Sequence, residues 1–354
     1  MPIVRAASIF LPIYKWADRY LEELCIEISK YVDIFKHCNL NPWSIRIIVP
    51  PIPEDIDVKS YCRFIECICS RSEYGDILKQ LLPISVYNPL IDSIIDLLNS
   101  YDRLYASILY DRSRLDEIAD LYLLCDDPNI YTRMSITYDY WIQTPYFPST
   151  SNIRNLLGFS ISLRYVDLFK HVIQGDYTKL LNYLTDLASK VNELNIPFVG
   201  LDYSLSPWMD ESIAGLIRDY LNIELRYPGL YYAVYYLNRL ISNVISYGVL
   251  KAIGYNEVML PVAEDNILKE AVSSGDITLR DLEGLASVCV AGLDMAAVPA
   301  RKEIIRNILL DMESIHSIKR KTIGVRLIPA PEDIEYIDLK KFGRTPVFKI
   351  RVTK

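Results

Sequence analysis

The sequence has very little histidine, glutamine and glycine, with three, three and 13 of these residues in a chain of 354. The three histidines, His37, His171 and His316, are far apart, which disfavours a catalytic triad built on histidine. The G-x-G-x-x-G, G-x-x-x-x-G-K-[ST], G-x-S-x-G and H-E-x-x-H motifs are all missing. These absences argue against the enzyme classes that the motifs identify, although a nucleotide site without a linear motif stays open. Scarce glutamine, with abundant isoleucine and tyrosine, is compatible with life at high temperature.

Long hydrophobic runs and an excess of positive charge are missing as well. Charged residues or prolines interrupt the apolar stretches well short of the roughly 20 residues that a membrane helix needs. The net charge of −7 and the pI near 5.2 create no overall field that would attract nucleic acid. The one dense basic run, at residues 319–321, is interpreted as a solvated helix end. We therefore expect neither a membrane nor a nucleic acid as a partner.

The seven cysteines are an odd number in a long chain, which argues against a secreted disulfide framework and favours the cytoplasm. Cys62, Cys67 and Cys69 are clustered, but their spacing, C-x4-C-x-C, matches no zinc-binding motif. We therefore expect structural thiols and no metal site. The sequence identifies no cofactor.

Strand and helix patterns alternate through most of the chain, which is typical of a largely parallel sheet with helices outside it. Residues 14–37, for example, place apolar side chains three and four positions apart, as in a long helix against a core. Strands are predicted near residues 4–11, 44–51, 104–110, 132–138, 158–163, 197–204, 256–261, 287–297, 322–328 and 346–352. Helical structure is predicted from the second strand to about residue 80, and again near 88–101, 113–124, 163–174, 177–194, 209–221, 229–251, 264–274, 277–287 and 301–317. We expect one large α/β domain, residues 1–354, with a candidate lobe boundary near residue 150 because residues 126–152 have a loop-like composition.

Four segments in the second half share one arrangement: a buried strand, then polar residues, then a proline. They are IPFVGLDYSLSP (196–207), NEVMLPVAED (256–265), SVCVAGLDMAAVP (287–299) and KTIGVRLIPAP (321–331). In parallel α/β folds, ligands bind outside the carboxyl ends of strands, because loops and helix amino termini converge there. Polar side chains in these segments are therefore the candidate site residues.

Asp202, Ser204 and Ser206 alternate along the first segment, so an extended backbone points all three to one face. The alternative for Ser206 is helix capping, since a helix is predicted directly after it. Glu264 and Asp265 follow a proline at a predicted helix start, where acidic residues are common for structural reasons. Their sequence positions leave open whether they bind a ligand or stabilise a helix.

Asp294 and Arg326 are lone charges in otherwise apolar strands. A buried carboxylate or guanidinium without a partner is costly, so each should have a partner or a ligand. We predict a polar cluster that is either a closed ion network or an anion-binding site. Its candidate catalytic residues are Asp202, Asp294 and Arg326, and its candidate ligand-binding residues are Ser204, Ser206, Glu264, Asp265 and Lys321.

Three of the segments, GLDMAAVP (292–299), LPVAED (260–265) and KTIGVRLIPAP (321–331), resemble in order and separation the characteristic stretches of the domain-of-unknown-function 711 family. Weaker matches are FVGLDYSLSP (198–207), RYPG (226–229) and GRTPVFKI (343–350), so the resemblance covers about residues 196–350. It implies an α/β fold, a pyruvate-formate-lyase-like barrel of about ten strands in two parallel halves surrounded by helices, but no known activity. Glycyl-radical chemistry, which Gly343 and Cys289 would have to carry, lacks its motif here.

The sequence leaves open whether the protein is an enzyme. The leading hypothesis is an enzyme that acts on a small anionic metabolite at the carboxyl ends of the barrel strands. Arg326 would hold the anion, and Asp202 or Asp294 would be the general acid or base. The alternatives are a non-catalytic ligand-binding or regulatory protein and a structural subunit of a homo-oligomer. Tyrosines at helical spacing in residues 226–240 favour core packing or an oligomer contact.

Overall fold

The computed structural model of the chain describes residues 3–70, 72–289 and 292–350. Within these ranges the strands are β1 Ile3–Phe10, β2 Ile45–Ile48, β3 Leu78–Ser85, β4 Leu104–Leu109, β5 Met134–Thr137, β6 Gly158–Arg164, β7 Phe198–Asp202, β8 Gly292–Pro299, β9 Gly324–Ala330, β10 Tyr336–Leu339 and β11 Gly343–Pro346. The α-helices are α1 Asp18–His37, α2 Val58–Cys69, α3 Ile94–Ser100, α4 Leu115–Leu121, α5 Pro128–Tyr131, α6 Val166–Ile173, α7 Thr178–Asn192, α8 Ile213–Tyr220, α9 Leu230–Ser246, α10 Asn266–Ser274, α11 Leu279–Leu285 and α12 Lys302–Lys319.

Nine strands form one sheet in the order β7-β6-β1-β2-β3-β4-β5-β9-β8, and β10 and β11 form a separate hairpin. Strands β1–β5 are parallel to one another. Strand β6 runs antiparallel to β1, and β9 runs antiparallel to β5. Because β7 is parallel to β6 and β8 to β9, the carboxyl ends of β6–β9 lie at the same edge of the sheet as the amino ends of β1–β5. The predicted α/β class with a largely parallel sheet is confirmed.

The two faces of the sheet have different surroundings. Ile47 of β2 and Leu82 of β3 belong to the same buried core as Leu24 of α1, so their face packs against helices. Successive side chains of a strand project to opposite faces. Arg46 and Lys79, which are paired in the β2–β3 register, therefore project to the opposite face, called here the inner face.

Residues 138–157 connect β5 to β6 without a regular helix or strand and cross the inner face. Trp141 Nε1 donates a hydrogen bond of 2.8 Å to Ser107 Oγ of β4, and Ser149 Oγ donates one of 3.0 Å to Ser135 Oγ of β5. These side-chain bonds help to fix a segment that forms no regular helix or strand of its own. Strands from both sides of residue 150 belong to the one nine-stranded sheet.

Three predicted elements differ from the structure. Residues 78–85 form β3, where helical structure was expected to about residue 80, because apolar positions buried on both faces of a sheet lose the period of two. Residues 256–261 contain only an isolated bridge at Val258. The last strand is β11, Gly343–Pro346, and not 346–352; residues 351–352 lie outside the described residues.

Cys25 of α1 and Cys67 of α2 form a disulfide across two helices that pack together. The expectation of thiols is therefore wrong for this pair, because spacing along the chain does not reveal which helices become neighbours. In the part of the chain that the structure describes, no helix combines the length and apolar character needed to cross a bilayer.

Candidate functional site

A cleft of about 120 Å³ lies on the inner face, near the edge where β1–β4 begin. Its charged lining residues are Arg5, Arg46, Lys79, Glu264, Asp294, Arg326 and Lys341. Its aromatic lining residues are Trp43, Tyr105, Tyr146, Phe147, Trp208, Tyr255 and Phe342. Five cations thus face two carboxylates inside a partly apolar enclosure. Such walls strengthen the attraction of the cleft for a negative charge.

One half of the cleft is electrically balanced. Arg5 projects from a β-bulge in β1, donates a hydrogen bond of 2.8 Å to Ser206 Oγ, and forms an ion pair with Glu264. Arg326 donates through Nε and Nη2 to the two carboxylate oxygens of Asp294, with an Nη2–Oδ2 distance of 2.9 Å. Its Nη2 also lies 3.4 Å from Glu264 Oε1. Two guanidinium groups and two carboxylates therefore form one closed network.

The pKa shifts in this network follow from burial and pairing. Burial alone would raise the pKa of Glu264, but Arg5 and Arg326 hold it below its ordinary value. Burial raises the pKa of Asp294, and Arg326 opposes that shift. Burial acts to lower the pKa of Arg326, but Asp294 and Glu264 outweigh it and raise that pKa. Arg326 therefore stays charged and engaged by carboxylates.

The other half of the cleft carries Arg46, Lys79 and Lys341. Arg46 Nη1 donates a hydrogen bond of 2.7 Å to the Pro145 carbonyl, and its guanidinium carbon lies 5.0 Å from the centre of the Phe147 ring. Among the described residues, none of these three cations has a carboxylate within ion-pair distance. This half, called here the cationic half, has three positive charges without counter-charges from the described residues.

Crowding of positive charge is visible in the pKa values of the cationic half. Burial, together with the neighbouring Arg5, lowers the pKa of Arg46 to about 10. Burial also lowers the pKa of Lys79, and Arg46 and Lys341 act in the same direction. A bound anion would relieve this repulsion, since an opposite charge favours the protonated form of each group.

The structure places Asp202 outside the cleft. Its carboxylate accepts hydrogen bonds from the backbone N–H groups of Ser204, Tyr255 and Asn256, at 2.9, 2.9 and 3.0 Å. The hydroxyls of Ser204 and Thr144 donate to it at 2.6 and 2.5 Å. Asp202 thus joins the end of β7 to two loops, and the structure does not bring it together with Asp294 and Arg326.

The other predicted ligand-binding residues divide between the cleft and structural positions. Ser206 and Glu264 line the cleft. Ser204 donates its hydroxyl to Asp202, and Asp265 accepts hydrogen bonds from the first turns of α8 and α10, as a shared helix cap would. Lys321 forms an ion pair with Glu257 and lines a different depression, which it shares with Lys319.

Sequence reasoning missed the basic residues of the first half of the chain. These residues lie in the amino-terminal parts of β1–β3 and are Arg5, Arg46 and Lys79. The candidates predicted from the sequence lie at the carboxyl ends of strands in the second half of the chain. The antiparallel pairing of β6 with β1 brings these two kinds of strand end to one edge. A usable signal was present, because Arg46 is the sole charge in β2, as Arg326 is in β9.

Metal ligands of the usual kinds do not cluster in the described ranges, where no group of three or more His, Cys, Asp and Glu side chains could hold an ion. The thiol of Cys289 donates to the Val258 carbonyl, with the sulfur 3.1 Å from the oxygen.

Comparison with known proteins identifies the family. Residues 158–335, half of the chain, match the family model described as Uncharacterised ACR (DUF711). This chain belongs to the DUF711 family. The predicted family is thereby confirmed; the match ends at residue 335, before the GRTPVFKI segment (343–350), and extends further toward the amino terminus, through α7, α6 and β6.

Curated relatives of the DUF711 chain are named UPF0210 proteins. One from Clostridium beijerinckii is 34% identical over 184 residues, which are 49% of this chain and 40% of that protein. One from Lachnoclostridium phytofermentans is 38% identical over 149 residues, or 40% and 32% of the two chains. One from Pyrobaculum aerophilum is 29% identical over 165 residues, or 45% and 37%. The matched part is thus two fifths or less of each relative, and the names state no activity.

The boundary of the DUF711 match nearly coincides with the division of the cleft by charge, and Arg5 of the balanced network is the exception. Ser206, Glu264, Asp294 and Arg326 lie within the matched residues, whereas the basic side chains of β1–β3 lie before them. The balanced network is therefore mostly built from the part that matches the family model. The cationic half comes from outside that part.

Proposed function

We propose that this DUF711 protein binds a small, multiply charged anion in the cleft and acts on it as an enzyme. The observation that supports this most directly is the cationic half, where Arg46, Lys79 and Lys341 face one cavity with no ion pair to a described carboxylate. Arg46 is buried and Lys79 is half-buried, while Lys341 is exposed. Buried or half-buried cations that repel one another destabilise a fold unless something compensates them. A bound anion is the compensation that the cavity allows.

Charge and size together narrow the class of ligand. Glu264 and Asp294 neutralise Arg5 and Arg326, which leaves about three positive charges for the ligand. A phosphorylated metabolite or a compact di- or tricarboxylate matches that charge and a cavity of about 120 Å³. Arginine can bind two oxygens of such a group at once, while the lysines contribute compact charges from the side.

The contacts suggest different roles from those first assigned to the three candidate catalytic residues. Arg326 is engaged by two carboxylates, so holding the anion falls to the cationic half. Asp294 lines the cleft and stays a candidate acid or base. Asp202 accepts five hydrogen bonds away from the cleft, which favours a structural role.

Calorimetric titration at low salt with inorganic phosphate, pyrophosphate and citrate tests the anion site. Binding should be detectable, should weaken as salt rises, and should fall by about tenfold or more in Arg46→Gln, because a charge-assisted contact is lost. Lys349→Gln is the matched control, since Lys349 pairs with Glu335 on the exposed surface. Equal affinity in both variants, or no binding of any of the three anions, contradicts the proposal.

One alternative uses the same cleft: the protein binds the anion without catalysing a reaction. Another alternative, that the protein is a structural subunit of a homo-oligomer, is favoured by four exposed tyrosines at and near the start of α9: Tyr227, Tyr231, Tyr232 and Tyr235. A face of exposed tyrosines is common at subunit contacts. Sedimentation of the wild type and of Tyr232→Glu would separate a dimer from a monomer.

The pyruvate-formate-lyase-like barrel that the family resemblance implies also stays a proposal. Two groups of parallel strands that run in opposite directions fit the two halves of a pyruvate-formate-lyase-like barrel. Closure would need the segment near Val258, which bridges Leu205 after β7, to reach the edge at β8. An experimental structure that shows this edge paired or open decides the point.

A further inference from the structure

Tyr105 has a position in the cleft that no other described tyrosine shares. It is the second residue of β4 and projects to the inner face, since Leu81 is paired with it and Lys79 lies two residues before Leu81. The centre of the Tyr105 ring lies 5.4 Å from the centre of the Phe147 ring. Lys79 Nζ lies 5.5 Å from the centre of the Tyr105 ring. The phenol is therefore held between an aromatic wall and an ammonium group.

The other two tyrosines of the cleft have structural partners. Tyr146 donates its hydroxyl to the Ser204 carbonyl at 3.1 Å, and Tyr255 donates to the Ser149 carbonyl at 2.9 Å. Burial raises the pKa of both phenols above the ordinary value. They stay protonated and hold loops, so neither is suited to exchange a proton with a ligand.

Cations dominate the surroundings of Tyr105. The charged groups that act on it are Lys79 of β3, Arg46 of β2, and Lys341, Arg133 and Arg326 from the neighbouring segments. The nearby carboxylates, Glu264 and Asp294, are engaged by arginines. Burial alone would raise the pKa of Tyr105, but Lys79, Lys341 and Arg46 outweigh it and lower that pKa.

We infer that Tyr105 is the proton-transferring catalytic residue of the cleft, and that its substrates are small anions with an acidic C–H bond beside a carbonyl group. The Tyr105 phenolate takes that proton: the C–H bond breaks, its electron pair stays on the ligand as an enolate, and the O–H bond of the phenol forms. The reverse step returns the proton to the same or a neighbouring carbon. No electron is exchanged with an oxidant or reductant.

The cations of the cleft assist this proton transfer in two ways. The cationic half holds the anionic group of the ligand and stabilises the enolate as its charge develops. Lys79 belongs to that half and has a second effect, since its ammonium group beside the ring favours the phenolate between turnovers. The inference rests on the proposed anion site, and its tests are chosen so that the two can fail separately.

Spectrophotometric titration of tyrosinate tests the phenol itself. The wild type should show one tyrosine that ionises below the ordinary value of about pH 10. That component should be lost in Tyr105→Phe and kept in Tyr232→Phe, whose ring is 63% exposed. Inorganic phosphate should move the component to higher pH, because an added negative charge disfavours the phenolate. If phosphate binds and the early component is missing or does not move, the inference is wrong while the anion site stands.

Solvent exchange tests the reaction. The protein in heavy water should speed deuterium incorporation into dihydroxyacetone phosphate or 2-oxoglutarate, measured by mass spectrometry. Tyr105→Phe should lose about 100-fold or more of that rate, typical of a missing general base, while it still binds phosphate. Lys79→Met should retain exchange only at higher pH, which a merely structural role would not produce. No exchange into either compound, or equal exchange in Tyr105→Phe, overturns the inference; failure of all anions to bind would instead overturn the proposed function.

Discussion

The Asp294 carboxylate on β8 and the Arg326 guanidinium on β9 meet through two hydrogen bonds across neighbouring parallel strands. Both side chains are about nine-tenths buried. Arg326→Met should therefore cost about 3–5 kcal/mol of unfolding free energy, because it leaves a carboxylate buried without its main partner. Urea denaturation measures this directly.

Two further variants show whether that cost arises from the pair. Asp294→Leu combined with Arg326→Met should be less destabilised than Arg326→Met alone, because no uncompensated charge remains at Asp294. Arg301→Met, which removes an exposed pair with Glu332, should change stability far less, because solvent screens exposed charges. If all three variants lose similar stability, the buried pair contributes no more to the free energy of unfolding than the exposed pair does.

The charges of the cationic half should lower the stability of the ligand-free protein and raise its affinity for anions. Lys79→Met removes a charge that repels Arg46 and Lys341, so the ligand-free protein should gain about 1 kcal/mol, seen as a rise of roughly 1–2 °C in Tm. The same variant should bind phosphate more weakly than the wild type does. Scanning calorimetry with and without phosphate measures both effects, and a lower Tm without ligand would contradict the argument.

The sequence correctly indicated that Asp294 and Arg326 need partners, because that need depends only on the strand that carries each charge. Asp294 and Arg326 are lone charges in apolar strands, and burial forces such charges to find partners wherever the strands lie. The cap that Asp265 makes for α10 is similar, because it depends on the few residues that follow Asp265. The hydrogen bonds of Asp265 to α8 join distant segments, and spacing along the chain does not predict them.

The rest of the site depends on contacts between distant segments. Asp202 has the expected place at the end of β7, but its partners Thr144, Tyr255 and Asn256 belong to loops whose approach no period predicts. Lys79 was hidden because β3 has a helix-like pattern of apolar residues. The crossing of the inner face by residues 138–157 rests on single side-chain hydrogen bonds, which leave no repeat in the sequence.

Asp202 should matter for stability and not for anion binding. Asp202→Ala leaves three backbone N–H groups and two hydroxyls without their acceptor, so it should cost about 3 kcal/mol or more. Gly254→Ala should be similarly harmful, because a Cβ there would lie 2.2 Å from Asp202 Oδ2 on a residue with φ of +83°. Denaturation and phosphate titration of the folded fraction check the two halves of this prediction. A large fall in phosphate affinity would contradict this prediction and would indicate that Asp202 takes part in anion binding.

Glu283 of α11 should make stability depend on pH. Burial, and then Asp311 of α12, raise its pKa to about 7, while Arg280 opposes the shift. Because the folded pKa lies above the unfolded value of about 4.5, the stabilisation is fully present below that value and is lost as pH rises through about 7.

Glu283→Gln keeps the shape of the protonated acid and removes this titration. The variant should be more stable than the wild type at pH 8, by about 1 kcal/mol after allowance for solvent screening, and nearly equal to it at pH 5. Glu22→Gln, on the exposed face of α1 beyond its first turn, is a control whose stability should differ little from that of the wild type at either pH. Chemical denaturation of the three proteins at both pH values measures the difference. If Glu283→Gln changes stability equally at pH 5 and pH 8, the carboxyl is not the titrating group, and any pH dependence of the fold must come from elsewhere.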